Sequence, residues 1–501
     1  MATQLESKPA PLQPVPRREV ALAVGNTFKL GLSLLVTWTV ALLVRFHLPR
    51  QLGPASFGQF SFSEAFAASF FSVLSFGVGT YIQKEIAVRP GHASDFFGGV
   101  CLFRGVVSLL LLVAMAATLE VTGQPRELQL VVLVFGAAQF LMELNFSLAA
   151  MLQAVGKVNA LAVVNVASKV VWGVGLAVAL FTGAGLAALA VPYVIAEVVR
   201  AAVLFYEARH NLELRVSFDF AATKKVMLAS LPFAANGIAV TIGSRIDLSM
   251  LKFLTVADEV GWYGAASNFA SLAMLMSPVL SWVLMPMMAR ARHRSEDEFF
   301  FVLRRAIEAV LVLAVPVTLF IALGADLWVR VAFGREFVES ATALRVLAPM
   351  FVVTYLAILF ASALILVGKS WTLTTVSLVK LGLLPAAILG FVPLMSDLGP
   401  GLAGTGAAVA VVLVEIVLTT ALGHAVGARA FDGRSVGALV KSLILAAGIV
   451  VMHLMTPNLG AIRLLYEVPL YVVGVLMIGA VRPKELRELV RMLVRRREYT
   501  D

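Results

Sequence analysis

Long, continuous stretches of apolar residues recur along almost the whole chain, and short polar or Gly/Pro-marked joints separate them. A helix that crosses a bilayer needs about 20 consecutive apolar residues. Strands of a membrane barrel are roughly ten residues long and alternate between apolar and polar positions, unlike these stretches. The pattern therefore predicts an all-α polytopic membrane protein with about 14 transmembrane helices. Their predicted limits are 22–44, 59–83, 95–119, 128–152, 158–181, 185–207, 226–251, 262–288, 301–323, 342–366, 371–395, 402–424, 436–455 and 464–481.

The amino-acid composition also indicates that lipid is the solvent. Hydrophobic residues make up 60% of the 501 positions and charged residues 14%, against roughly 45–50% and about 25% in soluble domains. These proportions exclude an ordinary soluble protein. The single cysteine, Cys101, excludes a disulfide framework, and the six histidines show no metal-ligand spacing, so no metal or other cofactor is predicted.

Lysine and arginine are unevenly distributed between the two sides of the predicted membrane. With the N-terminus placed in the cytoplasm, most of the joints that are rich in Lys and Arg fall on the cytoplasmic side. The other side holds Arg45, Arg50, Arg126, Lys252, Arg330, Arg335 and Arg463. Because cytoplasmic loops carry the excess of positive charge, both termini are predicted to be cytoplasmic. This asymmetry explains the net charge of +10, and no nucleic-acid partner is predicted.

The joints are too short to fold as separate domains. The longest is the predicted cytoplasmic linker 208–225. Residues 1–19 are rich in proline and are predicted to be a disordered tail. Residues 483–501 place leucines and valine at helical spacing among arginines, which predicts a basic amphipathic helix on an anionic membrane surface.

Landmarks in the first six spans recur in the same order in the next six, which indicates an internal duplication. The paired landmarks are Phe57-Gly58 with Val260-Gly261, Lys169 with Lys380, and Glu197 with Glu415. Each of the two lysines follows a Gly-Lys pair, and each of the two glutamates follows a Gly-Leu-Ala sequence. Because six is even, the two copies share one orientation. The sequence thus predicts an N-lobe at 20–207, a C-lobe at 226–424, and two additional spans within 436–481.

Several cations fall inside predicted spans, where a charge at the bilayer centre costs about 2.5–3.5 kcal/mol by insertion scales, so most such residues face a partner or a wet cavity. Lys169 and Lys380 lie about halfway along their spans and are equivalent in the repeat. We expect them to meet across the interface between the lobes. With Arg245, Arg104 and Arg45 they are predicted to bind an anionic substrate, above all a phosphate or pyrophosphate. The arginines for which snorkelling or a structural ion pair is the alternative are Arg104, Arg200 and Arg345.

The in-span carboxylates Glu64, Glu143 and Asp247 are predicted to bind a coupling proton or sodium ion. The alternative is that each carboxylate holds a neighbouring cation in place. Arg245 and Asp247 are two residues apart, about 200° around a helix, so we expect them to have separate partners.

Short motifs in the first two spans and around spans seven and eight resemble the polysaccharide flippases of the Wzx type. These flippases belong to the multidrug and oligosaccharidyl-lipid exporter superfamily. The motifs are Asn26, Arg45, Leu52-Gly53-Pro54, Phe57-Gly58 and Phe60, then Arg245-Ile246-Asp247, Met250-Leu251, Glu259-Val260-Gly261, Tyr263 and Ala265-Ala266. The count of 14 spans and their arrangement as six, six and two are similar as well.

The resemblance implies that the protein moves a polyprenyl-pyrophosphate-linked oligosaccharide from the inner to the outer leaflet of a bacterial cytoplasmic membrane. Alternating access between two six-helix lobes, coupled to a gradient of H⁺ or Na⁺, would drive this step of lipopolysaccharide or exopolysaccharide synthesis. The resemblance further implies membrane lipids, a polysaccharide polymerase and chain-length machinery as partners.

Three alternatives remain open at this point. A lipid II flippase has the same composition and plan. A drug or metabolite antiporter of the same superfamily would favour an acidic cavity, which the in-span Lys and Arg disfavour. A membrane glycan-processing enzyme would need a surface cluster of catalytic carboxylates, which the sequence lacks, so no enzyme is predicted.

Overall fold

The computed structural model describes residues 17–479 apart from a set of positions between 76 and 92. Every regular element in this part of the chain is helical, so the predicted all-α fold is confirmed. The predicted tails lie outside the described residues, except that helix α1 already begins at Arg17.

The helices are α1 Arg17–Phe71, α2 Ala93–Val121, α3 Arg126–Ala154, α4 Val158–Phe181, α5 Leu186–Leu212, α6 Phe220–Gly243, α7 Ile246–Leu254, α8 Ala257–Ala270, α9 Ser277–Arg294, α10 Glu296–Leu323, α11 Ala325–Ala332, α12 Ser340–Leu347, α13 Met350–Leu366, α14 Ser370–Ser396, α15 Leu402–Val426, α16 Gly433–Met455 and α17 Leu464–Met477. In the described part, ten helical stretches are long and apolar enough to cross a membrane. The other predicted spans fall in α1, in α6 with α7, and in α8 with α9. We call α1–α5 the first half and α6–α15 the second half.

Helix α1 contains the first two predicted spans, separated by a kink at Gly53. This residue has φ 71° and ψ 170°, a left-handed backbone conformation that glycine adopts without steric cost. Pro54 follows and has no backbone N–H to continue the hydrogen-bond ladder. The second span therefore starts at Pro54, five residues before its predicted limit of 59.

The seventh predicted span, 226–251, is two helices rather than one. Helix α6 ends at Gly243, α7 begins at Ile246, and Arg245 between them has φ −135° and ψ −12°. A Cβ atom on Gly243 would lie 3.2 Å from Cδ of Lys380, so the missing side chain leaves room for the lysine stem. The interruption thus lies next to charged groups from another helix.

The eighth predicted span, 262–288, is also divided. Helix α8 ends at Ala270, a 3₁₀ turn covers Ser271–Met276, and α9 then begins at Ser277. The tighter 3₁₀ geometry changes which side chains face the interior, and it presents Ser271 to α1.

The buried apolar residues of the described part form four clusters, and the largest is built from both halves. The shared core includes Phe60 and Phe66 of the first half with Tyr263 and Phe337 of the second. A second cluster runs from Val78 to Val226 and includes the start of α6, and a third lies wholly in the second half, from Met288 to Ala430. The two halves therefore share a large core at one end of the molecule, whereas at the other end α6 is the part of the second half that packs on the first.

Two glycines bring the halves into backbone contact at the shared core. A Cβ atom on Gly58 of α1 would lie 2.1 Å from the carbonyl oxygen of Ala257, and one on Gly261 of α8 would lie 2.0 Å from that of Pro54. Small residues allow such close approach of helices in membranes. We call this contact the glycine crossing. The shared core also contains a set of mutually packed rings from both halves, Phe46, Phe57, Phe269, Phe333 and Phe337.

A buried carboxylate fixes α15 to α8. Glu259 is 7% exposed, and its two oxygens accept hydrogen bonds from the backbone N–H groups of Gly401 and Gly404 at 2.5 and 2.8 Å. The first turn of a helix has N–H groups without intrahelical partners and a partial positive charge, so a carboxylate is stabilised there. Glu259 therefore has a structural role at the N-terminus of α15.

Helices α16 and α17 pack on the outside of α10. Val315 and Leu319 of α10 contact Ile449, Tyr471 and Val475 in one cluster. The carboxylate of Glu467, which is fully buried, lies 2.9 Å from Nδ1 of His453. This pair joins the two C-terminal helices to each other within the membrane region.

Candidate functional site

Lys169 lies at the centre of a group of charged side chains in the first half. Its Nζ stands 3.7 Å above the centroid of the Trp172 ring, three residues further along the same face of α4. The ammonium also interacts electrostatically with Glu64 of α1 and Glu197 of α5. A cation over an indole face is attracted by the ring quadrupole, so Trp172 holds the lysine without neutralising it.

Glu197 has partners that the sequence did not indicate. The amide of Asn145, a fully buried residue of α3, donates to the carboxylate of Glu197 at 2.7 Å and to its carbonyl oxygen at 2.9 Å. Nη1 of Arg200 lies 3.6 Å from the same carboxylate, one helical turn along α5. Because these groups engage its carboxylate, Glu197 does not pair exclusively with Lys169.

Tyr193 connects this group to the second half. Its ring packs edge-on against Phe135 and Trp172, with centroid separations of 5.0 and 5.3 Å. Its hydroxyl interacts electrostatically with Arg45 and with Arg245, which lies in the interruption between α6 and α7. We call the charged group the cationic cluster, and its members are Arg45, Glu64, Lys169, Glu197, Arg200 and Arg245.

The cationic cluster has an excess of positive charge and is reached by solvent. It contains four cations and two carboxylates, and each side chain is only partly buried. Arg45 extends toward the second half, where its Nη1 donates to Oγ of Ser271 at 2.7 Å. Such an arrangement suits a bound anion, because guanidinium and ammonium groups form the strongest hydrogen bonds with phosphate oxygens.

The second half contains a cavity of about 490 Å³ between α6, α8, α13, α14 and α15. Two polar pairs lie on its wall. Lys380 of α14 forms an ion pair with Glu415 of α15. The carboxylate of Asp247 accepts a hydrogen bond from the hydroxyl of Tyr263 at 2.5 Å and another from its neighbour's backbone N–H at 2.9 Å. We call this space the second-half cavity.

The structure does not bring Lys169 and Lys380 together, contrary to the expectation that they meet between the lobes. Lys169 lies in the cationic cluster, and Lys380 pairs with Glu415 in its own half. The reason is that each lysine is held by groups of its own half, Lys169 by the ring of Trp172 and the charge of Glu64 and Lys380 by Glu415. As expected from their spacing, Arg245 and Asp247 have separate partners.

Arg104 and Glu143 lie against each other, away from the cationic cluster. Arg104 is 1% exposed, and its Nη1 donates to the carbonyl oxygen of Glu143 at 2.5 Å and to Ser147 at 2.7 Å. The carboxylate of Glu143 lies 3.6 Å from Nη2 of Arg104. This geometry favours the structural ion pair for both residues. Arg345 likewise pairs with Asp326.

Several residues of the two sites were not predicted as site residues. Glu197 and Glu415 entered the sequence analysis as landmarks of the repeat, and their equivalent positions opposite the two lysines were the available signal. Tyr263 appeared only within a family motif. Tyr193 and Asn145 carried no signal, because only the packing of distant helices gives them charged neighbours.

Solved structures show the class of protein that this fold defines. The chain is similar to the lipid II flippase MurJ in its inward closed conformation, with a TM-score of 0.65 and 13% identity over 94% of this chain and 100% of that one. It is similar to an inward-facing multidrug resistance MATE family transporter of the MOP superfamily, with a TM-score of 0.60 and 15% identity over 79% and 98% of the two chains. A MOP superfamily transporter from Pyrococcus furiosus matches with a TM-score of 0.55 and 16% identity over 81% and 96%. The protein therefore has the fold of the MOP superfamily transporters.

The sequence places the chain in a particular family. Residues 23–292, more than half of the chain, match the model of the family described as polysaccharide biosynthesis protein. The chain belongs to that family. No curated protein matches it.

Proposed function

We propose that this protein is a flippase that moves a polyprenyl-pyrophosphate-linked oligosaccharide from the inner to the outer leaflet of the bacterial cytoplasmic membrane. The observation that carries the proposal is the cationic cluster within the membrane region. Four cations against two carboxylates, all partly exposed, suit a ligand with about two negative charges. Membership in the polysaccharide biosynthesis family supports a glycan-bearing ligand.

The roles of the charged residues follow from their positions. Arg45, Lys169 and Arg245 bind the pyrophosphate, and Arg200 belongs with them. Lys380 is neutralised by Glu415 and contributes to the wall of the second-half cavity. Arg104, which is enclosed by its own partners, stabilises the first half instead of binding substrate.

We assign the coupling ion, H⁺ or Na⁺, to two carboxylates. Glu64 lies within the cationic cluster, where a change in its charge is felt by Lys169. Asp247 faces the second-half cavity and is bonded to Tyr263. Glu143 lies against Arg104, so we assign it to that ion pair. In the proposed topology both termini lie in the cytoplasm, as the charge distribution predicts.

The shape of the molecule supports alternating access. The halves share a large core on the side of the glycine crossing, and at the opposite end the second half has a core of its own while α6 alone packs into that of the first half. In a transporter that exposes its site to one side at a time, one end is closed while the other separates. By the charge distribution, the closed end is the outer one.

A deletion strain tests the proposal. We expect it to lose surface polysaccharide and to accumulate a lipid-linked oligosaccharide that an enzyme or label confined to the outer face does not reach. Accumulation of lipid II instead would make the protein a flippase for the cell-wall precursor. Unchanged glycolipids with raised sensitivity to cationic compounds would make it an exporter of small molecules and would overturn the pyrophosphate assignment.

A further inference from the structure

The second-half cavity is lined by groups that can hydrogen-bond a neutral ligand. Hydroxyl groups recur on its wall, from Ser267, Ser271, Thr354, Ser377 and Thr419. Thr419 is 7% exposed, and its Oγ1 has no hydrogen-bond partner among the described residues. The other four residues are partly exposed, so their hydroxyl groups are available to bond a ligand in the cavity.

The charge of the cavity is opposite to that of the cationic cluster. Its charged side chains are one cation, Lys380, and two carboxylates, Glu415 and Asp247. The cation is already paired with Glu415. A pyrophosphate would meet an excess of negative charge here, whereas the hydroxyl groups of a sugar can donate to carboxylate oxygens and accept from other hydroxyls.

The cavity adjoins the cationic cluster at two points. Arg45 of the cluster donates to Ser271 of the cavity wall at 2.7 Å. Arg245 of the cluster directly follows Ser244, which lines the cavity. The cluster and the cavity are therefore adjacent, so one ligand can place its anionic group in the cluster and its adjoining polar part in the cavity.

We propose that the second-half cavity binds the sugar residues nearest the pyrophosphate, while the cationic cluster binds the pyrophosphate itself. This inference rests on the proposed flippase function and assigns its specificity for the glycan to the second half. The volume of about 490 Å³ lies within the range of sites for small molecules. It suits a short oligosaccharide and not a long polymer.

The test uses the full-length protein in nanodiscs with two probes. One is polyprenyl pyrophosphate without sugar, and the other is the glycolipid fraction extracted from cells that lack this protein. The variants Ser377→Phe and Thr354→Phe fill the cavity from two different helices. We expect both to weaken binding of the glycolipid by about tenfold or more, with binding of polyprenyl pyrophosphate unchanged. Thr375→Phe, at an exposed position of the same helix as Ser377, is the matched control.

Each outcome of the test has a definite meaning. Equal loss of both probes in the two cavity variants, with unchanged thermal stability, would place the pyrophosphate in the cavity and overturn the inference. Unchanged binding of both would show that sugars bind elsewhere. If the wild-type protein binds neither probe, the proposed function fails, and that result is distinct from failure of the sugar assignment.

Discussion

The two halves of the molecule carry the same lysine and glutamate on equivalent helices, yet the pair is closed in one half and open in the other. In the second half, Lys380 and Glu415 form a direct ion pair between α14 and α15. In the first half, Lys169 stands over the ring of Trp172 instead. A closed pair presents little net charge to a ligand, whereas an open one leaves an ammonium that an anion can approach.

Two neighbours of the first-half glutamate account for the difference. Asn145 donates to the carboxylate of Glu197 at 2.7 Å, and Arg200 lies 3.6 Å from it. With its oxygens engaged, Glu197 does not pair exclusively with Lys169. The comparison teaches that a lysine and a glutamate at corresponding positions need not form an ion pair when other side chains engage the carboxylate.

The largest expected effect comes from separating the halves where they touch. Gly261→Val adds a side chain whose Cβ would lie 2.0 Å from the carbonyl oxygen of Pro54. Since backbone atoms cannot move aside as a side chain can, α1 and α8 must separate, and we expect no transport and a lower melting temperature. Surface polysaccharide and thermal unfolding measure these effects. Gly382→Val, at an exposed position with open space around its Cα, should behave like the wild type.

The next largest effect is expected from the open pair. Lys169→Gln removes a charged donor that contributes about 1.5–3 kcal/mol per hydrogen bond, so the affinity for polyprenyl pyrophosphate should fall roughly tenfold to a hundredfold. The protein level in the membrane should be unchanged. Lys157→Gln, on an exposed residue just before the same helix, is the control. Equal binding by the Lys169 variant would remove this residue from the site.

A change in the closed pair should act on stability instead. Lys380→Gln leaves Glu415 without its partner, and we expect a loss of about 1–3 kcal/mol, below the 3–5 kcal/mol typical of a fully buried pair, because both side chains are partly exposed. Protein level and thermal unfolding report the loss. The double variant Lys380→Met with Glu415→Leu removes both charges and should recover much of the stability. A Lys380 variant that is fully stable yet unable to bind polyprenyl pyrophosphate would contradict the distinction between the halves.

The smallest effect is expected from Asn145, whose replacement should close the lysine–glutamate pair of the first half, as it is closed in the second. Asn145→Leu keeps the branching of the side chain at Cγ but removes the amide that engages Glu197. Glu197 is then able to pair with Lys169, and we expect the affinity for polyprenyl pyrophosphate to fall severalfold. In a double-mutant cycle, Asn145→Leu and Lys169→Gln should have non-additive effects on this affinity, since both act on the ammonium of Lys169. Additive losses would show that Asn145 acts independently of Lys169.

The fold class could be predicted because each apolar run must form its own hydrogen bonds in lipid, and a helix does so locally. The interruption at Ser244 and Arg245 could not, because no proline marks it and the group that packs there, Lys380, belongs to a helix more than a hundred residues away.

The candidate site was accessible from the sequence only in part. In-span charge identified Lys169 and Arg245, because an uncompensated charge in lipid needs a reason. The same rule selected Arg104, which is buried against Glu143. Charge alone does not separate the two cases, since the outcome depends on which side chains of other helices reach the cation.

The glycine crossing has an approximate two-fold symmetry. Gly58 and Gly261 hold equivalent places in the predicted repeat, and each lies against the backbone of the other's helix. The contact is therefore nearly isologous, as in a two-fold dimer where the same surface meets its own copy. In a half-length ancestor the crossing would have been a homodimer interface made by one glycine from each copy. Any side chain added at that position would have produced two clashes in the interface.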